Sequence, residues 1–123
     1  MDRTDAGAVA IVDDDAAVRD VLSVFLEMAG HTVRSYPSGA HYLADTDRSE
    51  VLCLVVDQKM PGMTGLELLI ELERRGQGVP TLLLTGLQDA DLVRQSSRLG
   101  VITVLEKPVA PERLLQFIAY TAG

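Results

Sequence analysis

Short apolar runs alternate with stretches in which apolar residues return every three or four positions, and this alternation repeats five times along the chain. The runs at 8–13, 31–36, 51–57, 80–85 and 101–105 are expected to be strands, and the periodic stretches between them helices. The first helix starts at an Asp15 cap, carries Val18, Val21, Leu22, Phe25 and Leu26 on its apolar face, and stops at Gly30. A short second helix runs from Ser38 to about Ala44. The third opens on Thr64-Gly65-Leu66-Glu67, where Thr64 and Glu67 satisfy free amides reciprocally as a capping box, and ends near Gly76. The fourth, about Asp89 to Leu99, is weakened by Ser96-Ser97. The fifth begins at Pro111, with Glu112 near the positive end of the helix dipole. Residues 1–7 read as a loose polar tail and residues 8–123 as one domain.

Strict strand–helix alternation implies a parallel sheet with right-handed crossovers and helices on both faces. The second strand, His31 to Tyr36, mixes polar and apolar residues as an edge strand does, whereas strands one, three and four are apolar almost throughout, as strands covered on both faces are. The expected fold is therefore α/β: a flavodoxin-like, doubly wound, five-stranded parallel sheet of order 2-1-3-4-5 with five helices. Ligands of such sheets bind beyond the carboxyl ends of the strands where the order reverses, here between strands one and three.

Composition narrows the function classes. A chain of 123 residues with 47% hydrophobic content can build a real core. Its net charge of −7 argues against nucleic-acid binding by this segment. No apolar stretch approaches the ~18 residues of a membrane span, and no signal-peptide pattern opens the chain, so a cytoplasmic location is expected. The single cysteine, Cys53, lies inside an apolar strand and reads as a core residue.

The chemistry sits at the strand ends. Asp13-Asp14-Asp15 closes the first strand and Asp57 the third, so the topology brings like charges together. The usual remedies are a raised pKa or a bound cation, and a hard divalent ion with oxygen ligands, Mg²⁺ or its substitute Mn²⁺, suits such a cluster. Strand four ends in Leu84-Thr85-Gly86 and strand five in Glu106-Lys107-Pro108, which adds a hydroxyl and an ammonium at the same rim. Pro108 favours an extended backbone at Lys107. Carboxylates, a cation, a hydroxyl donor and a lysine suit a phosphoryl group, with a carboxylate as nucleophile. Asp57, alone at the end of a central strand, is the candidate nucleophile; Asp13 and Asp14 are better placed to hold metal, and Asp15 to cap the helix. His31 and His41 fall away from the rim, and Met60 and Met63 read as local packing.

These pieces resemble one family. Val12-Asp13-Asp14-Asp15, Val56-Asp57-Gln58-Lys59-Met60-Pro61-Gly62, Leu84-Thr85-Gly86 and Glu106-Lys107-Pro108 stand in the order found in CheY-like response-regulator receiver domains of two-component signalling. The successive intervals, Asp13 to Asp57, Asp57 to Thr85 and Thr85 to Lys107, are 44, 28 and 22 residues. The wording Asp-Gln-Lys-Met-Pro-Gly-Met-Thr-Gly is similar to receivers of FixJ/NarL-type transcriptional regulators. The resemblance implies that Asp57 accepts a phosphoryl group from a sensor histidine kinase. It also implies that Asp14 ligates Mg²⁺ directly and Asp13 through water, that Asp57 and the backbone carbonyl of Lys59 complete the protein ligands, and that Thr85 and Lys107 engage the phosphoryl oxygens. The receiver would catalyse only its own phosphorylation and slow dephosphorylation. Its output surface would be helix 4–strand 5–helix 5, with a homodimer through the helix 4–strand 5 face and a C-terminal DNA-binding domain outside this chain.

The sequence departs from the family in two places. An aromatic residue usually stands three positions before the lysine, and here that position is Val104; Val109 replaces a frequent Phe. A β-branched aliphatic cannot sweep out a ring's volume, so the signal is expected to travel by backbone shift, through a partner face including Val104 and Leu92. Lys59 and Leu87 occupy positions that tune dephosphorylation in the family. Competing readings are a single-domain relay, a degenerate pseudo-receiver, a haloacid-dehalogenase-type phosphatase and a flavodoxin-type FMN carrier. Asp13-Asp14-Asp15-Ala16-Ala17 lacks the last residue of the phosphatase motif, an acidic loop repels the flavin phosphate, and no key receiver residue is missing.

Overall fold

The computed structural model describes residues 7–48, 50–87 and 90–122. The expected tail lies outside these residues except for Gly7, as do the expected start of the fourth helix at Asp89 and the last residue of the domain, Gly123. In chain order the elements are β1 (Ala8–Val12), α1 (Ala16–Met28), β2 (Thr32–Tyr36), α2 (Gly39–Ala44), β3 (Val51–Asp57), α3 (Gly65–Arg74), β4 (Thr81–Thr85), α4 (Ala90–Ser97), β5 (Val101–Glu106) and α5 (Pro111–Ala122). All strand pairs are parallel and the sheet order is β2-β1-β3-β4-β5.

Alternation along the interior strands divides the core into two layers. Ala10, Val12, Leu54, Val56 and Leu83 pack with Leu66, Leu68, Leu69, Leu72 and Leu92, side chains of α3 and α4. Val9, Ile11, Cys53, Val55, Leu82 and Leu84 pack with Leu22, Leu26, Leu114, Phe117 and Ile118, side chains of α1 and α5. Burial on both faces is why these strands carry almost no polar residue before their last position. Cys53 belongs to the second layer, and burial pushes its thiol pKa up.

The helix starts follow their local signals. Asp15 caps α1 by accepting the Ala17 and Val18 amides at 2.9 and 3.3 Å. Thr64 Oγ1 accepts the Glu67 amide at 3.1 Å while Glu67 Oε1 accepts the Thr64 amide at 2.9 Å, closing both halves of the box. The apolar face of α1 differs in one position from expectation. Leu22 and Leu26 are buried, Val18 and Phe25 half-buried, but Val21 is exposed. At 100° per residue Val21 belongs to a second stripe with Ala17, Val24 and Met28, which faces away from the sheet.

Loss of the α3 cap should register as stability. Thr64→Ala is expected to lower the unfolding free energy by about 1 kcal/mol in a urea titration with unchanged slope; an unchanged midpoint would contradict this role for Thr64.

Candidate functional site

Strand register sets the site. Val12 pairs with Val56, so the next residues on the two strands, Asp13 and Asp57, stand side by side at the carboxyl edge of the sheet. Leu84 pairs with both Asp57 and Leu105, and two residues beyond Leu105 the chain reaches Lys107, whose amide donates to the Thr85 carbonyl at 2.8 Å. Asp13 and Asp57 are buried, at 1% and 5% exposure, while Asp14 is open to solvent. Ligand oxygens of Asp13, Asp14 and Asp57 lie within 4.8 Å of one another. The Lys107 ammonium reaches between the two buried acids, 3.2 Å from Asp13 Oδ2 and 3.3 Å from Asp57 Oδ2.

Each buried carboxylate is held differently. Asp13 Oδ1 accepts the Asp15 amide at 2.9 Å, and its backbone is fixed by its N–H to the Tyr36 carbonyl at 3.1 Å and its carbonyl to Arg19 Nη1 at 2.7 Å. Asp13 Oδ2 is buried with no hydrogen bond, facing Lys107 only as an ion pair. Asp57 Oδ1 receives the Lys59 amide at 3.4 Å, a long bond. Burial and the charge of Asp13 push the Asp57 pKa up, and neither Lys107 nor the Lys59 amide compensates. Burial works against the charge on Lys107, but Asp57 and Asp13 together hold its pKa above the usual lysine range.

The donor set fits a hard cation. Three carboxylates face one ammonium, every available ligand atom is oxygen, and a buried carboxylate oxygen has no hydrogen-bond donor. Mg²⁺ takes such ligands while retaining several waters, for which the exposed side of Asp14 leaves access. Asp13, Asp14 and Asp57 are the side chains able to hold it. Asp15 is not among them, since its side chain caps α1.

Thr85 is buried at the end of β4, with its Oγ1 turned onto its own turn, donating to the Leu87 carbonyl at 3.2 Å and accepting the Leu87 amide at 3.3 Å. It shares strand parity with Leu83, on the α3–α4 side of the sheet, whereas Asp57 shares parity with Val55 on the α1–α5 side. The structure therefore brings Asp13, Asp14, Asp57 and Lys107 together and sets Thr85 on the neighbouring strand, where its carbonyl accepts the Lys107 amide while its hydroxyl is turned to Leu87 and not to the cluster. Val104 and Leu92 are both buried in the α3–α4 layer, which corrects their expected place on a partner face. Val93, Ile102 and Leu87 are the large apolar side chains exposed there. His31 precedes β2 at the far end of that strand, and His41 is exposed on α2 against Ser38 Oγ.

Two residues outside the acidic cluster shape the β3–α3 loop, and sequence reasoning gave neither a site role. Gln58 donates its amide to Leu84 O at 2.8 Å, accepts Gly65 N–H on its carbonyl at 3.0 Å and accepts Leu66 N–H on its side chain at 2.9 Å. A Cβ at Gly65 would stand 2.8 Å from the Asp57 carbonyl oxygen and 2.9 Å from Leu83 Cδ1, so the start of α3 approaches the end of β3 as closely as only glycine allows. Beside the cluster, Ala17, Val18, Val21, Leu22, Leu84, Lys107, Pro108 and Val109 line an apolar groove of about 540 Å³.

Comparison with known proteins agrees with this fold. The response regulator receiver domain family matches residues 9–119. The transcriptional regulatory protein FixJ of Bradyrhizobium diazoefficiens is 35% identical over 115 residues, covering 94% of this chain and 56% of FixJ. The crystal structure of FixJ-N superposes with a TM-score of 0.84 at 31% identity, covering 94% of this chain and 93% of that one. The chemotaxis protein CheY4 of Vibrio cholerae superposes with a TM-score of 0.85 at 28% identity, covering 94% and 98%. The chain spans about half the length of the curated relatives it matches.

Two outcomes follow from the crowding. The folded-state pKa of Asp57 lies above its unfolded value of 3.8, so its contribution to stability is greatest below that value and is lost as pH rises through the folded pKa. Asp57→Asn is therefore expected to raise the thermal midpoint by a few degrees at neutral pH, with the gain shrinking as the solution is acidified; a midpoint lowered at neutral pH would contradict it. Gly65→Val is expected to destabilise the domain by about 1–3 kcal/mol through overpacking against β3, read by chemical denaturation, and a neutral result would show that the close approach is not needed.

Proposed function

The chain belongs to the response regulator receiver domain family, and on that premise we propose that Asp57 accepts a phosphoryl group from a sensor histidine kinase in a Mg²⁺-dependent reaction. Receiver domains of this family are phosphoacceptor switches of two-component systems, partner with histidine kinases and often carry DNA-binding outputs. The observation that carries the reading here is the burial of Asp57 beside Asp13, with Lys107 at 3.2 and 3.3 Å from the two and Asp14 open to solvent.

In this scheme one Asp57 oxygen attacks phosphorus, an O–P bond forms, the P–N bond to the donor imidazole breaks, and the imidazole leaves with the bonding electrons. Asp57 must be ionised to attack, and the neighbouring ammonium of Lys107 favours that form. Mg²⁺, or Mn²⁺ in its place, held by Asp13, Asp14, Asp57 and the Lys59 backbone carbonyl, would offset the carboxylate repulsion and neutralise phosphoryl oxygens. Lys107 pairs with one phosphoryl oxygen, and Thr85 gives up its Leu87 carbonyl to donate to another. Since Thr85 lies on the α3–α4 side with Val104 and Leu92, that rotation passes the state of Asp57 into the packing of α4 on β5. Slow hydrolysis of the acyl phosphate resets the domain.

The apolar groove beside Lys107 and the exposed Val21 support docking of the donor protein against α1. The exposed Val93 and Ile102 line a hollow of about 270 Å³ between α4 and β5, which supports a homodimer through that face and an output surface of α4, β5 and α5. Transcriptional control by a DNA-binding domain C-terminal to this segment is the output we favour, after the FixJ likeness; a single-domain relay is the alternative. Among the described residues no helix is long and apolar enough to cross a membrane, and the proposed place of action is the cytoplasm.

Wild-type protein given acetyl phosphate and Mg²⁺ is expected to gain about 80 Da once per chain in intact mass, and Asp57→Asn to gain nothing; equal labelling of the variant would overturn the assignment. Asp14→Asn is expected to weaken the Mg²⁺ dependence of the same labelling. Val21→Asp, outside the acid cluster, is expected to slow transfer from the cognate kinase about tenfold, the loss typical of an interface hot spot of 1–2 kcal/mol, and to leave acetyl phosphate labelling unchanged. Equal kinase transfer would place the donor elsewhere.

A further inference from the structure

We propose that Arg19 is a positioning residue for the cation-holding turn, fixing the peptide that joins Asp13 to Asp14; this rests on the receiver reading above. Three successive carboxylates at the end of β1 repel one another, and the turn carrying them needs restraint. Two restraints are local to the strand: the Asp13 amide donates to the Tyr36 carbonyl at 3.1 Å, and Asp13 Oδ1 accepts the Asp15 amide at 2.9 Å. The third reaches back from within α1, where Arg19 Nη1 donates to the Asp13 carbonyl at 2.7 Å. Arg19 is half-buried and has Asp14, Asp15 and Asp20 close by in sequence, yet among the described residues its guanidinium pairs with no carboxylate. It is committed to a backbone carbonyl instead.

That carbonyl belongs to the planar unit between the two acids. Rotating this unit swings Asp14 relative to Asp13, because Asp13 is otherwise anchored on its N-terminal side and through its side chain. Holding it sets the separation of the two carboxylates before any cation arrives, as outer hydrogen bonds do for metal ligands in general. The charge of Arg19 acts in the opposite sense. A cation beside an acidic cluster repels an incoming Mg²⁺, so simple electrostatics predicts tighter Mg²⁺ binding when Arg19 is removed, and positioning predicts weaker binding.

The opposing signs make the test decisive. Mg²⁺ affinity is measured by calorimetry on wild type and Arg19→Met, which keeps the aliphatic stem and a good helix former. Backbone order is read by ¹⁵N relaxation on both proteins without metal. The proposal expects Mg²⁺ binding about tenfold weaker in the variant, with the Asp14 and Asp15 amides falling to order parameters below about 0.6 while those of β4 and α3 hold. Binding equal to or tighter than wild type would overturn it, as would loss of order spread evenly over the domain. Wild type that binds no Mg²⁺ would overturn the receiver reading itself, and this inference with it.

Discussion

Two carboxylates side by side out of water, as Asp13 and Asp57 are, form an arrangement that a fold can hold only against their mutual repulsion and their loss of solvation. One ammonium, from Lys107, spans the pair, and the rest of the domain serves to keep these three groups in register. The raised pKa of Asp57 is the residue of that conflict, since the partners present do not offset burial. A cation supplied from solution would relieve it, and in the proposed function Mg²⁺ does so and gives an anionic phosphoryl group somewhere to arrive. Local instability and chemical competence have the same origin here.

The sheet does the holding. Strands buried on both faces can be rigid because their side chains interdigitate with helices above and below, and four of the five strands end at the rim where the site lies. The two layers have different tasks. Asp57 and Lys107 share the parity of the α1–α5 layer, beside which the apolar groove opens, while Thr85 shares that of the α3–α4 layer. In the proposed function, a reaction on one side of the sheet would thereby be linked, through one threonine on the next strand, to packing on the other. Because Val104 is buried, the proposed linkage would reach solvent through the backbone of β5 and through the exposed Val93 and Ile102.

Much of this was legible in the residues. Strand–helix alternation gave the sheet order, since the polar-apolar mixture of β2 marks an edge and the unbroken apolar β1, β3 and β4 mark the interior. Local chemistry gave the Asp15 cap and the Thr64–Glu67 box, and the strand ends gave the acidic cluster. What stayed hidden depends on distances between elements. Nothing in Gly65 alone says that its missing Cβ would meet the Asp57 carbonyl, nor does Gln58 announce that its side chain holds an amide of α3. Val21 was assigned to the core face because it is apolar and suitably spaced, although a helix packed on one side of a sheet can bury only part of a wide apolar arc. Leu92 and Val104 were expected outside because function suggested it; their burial follows from strand parity and the amphipathic period of α4, which could have been applied.

The central claim is that repulsion between buried carboxylates, relieved by a hard cation, prepares Asp57 for its role. Its most direct test is an NMR titration of the Asp57 side-chain carboxyl carbon, with and without saturating Mg²⁺. The account predicts that Asp57 titrates above the ordinary aspartate value in metal-free protein and that Mg²⁺ shifts this titration downward, because a bound cation favours the charged form. Titration in the ordinary range with no response to Mg²⁺ would contradict it.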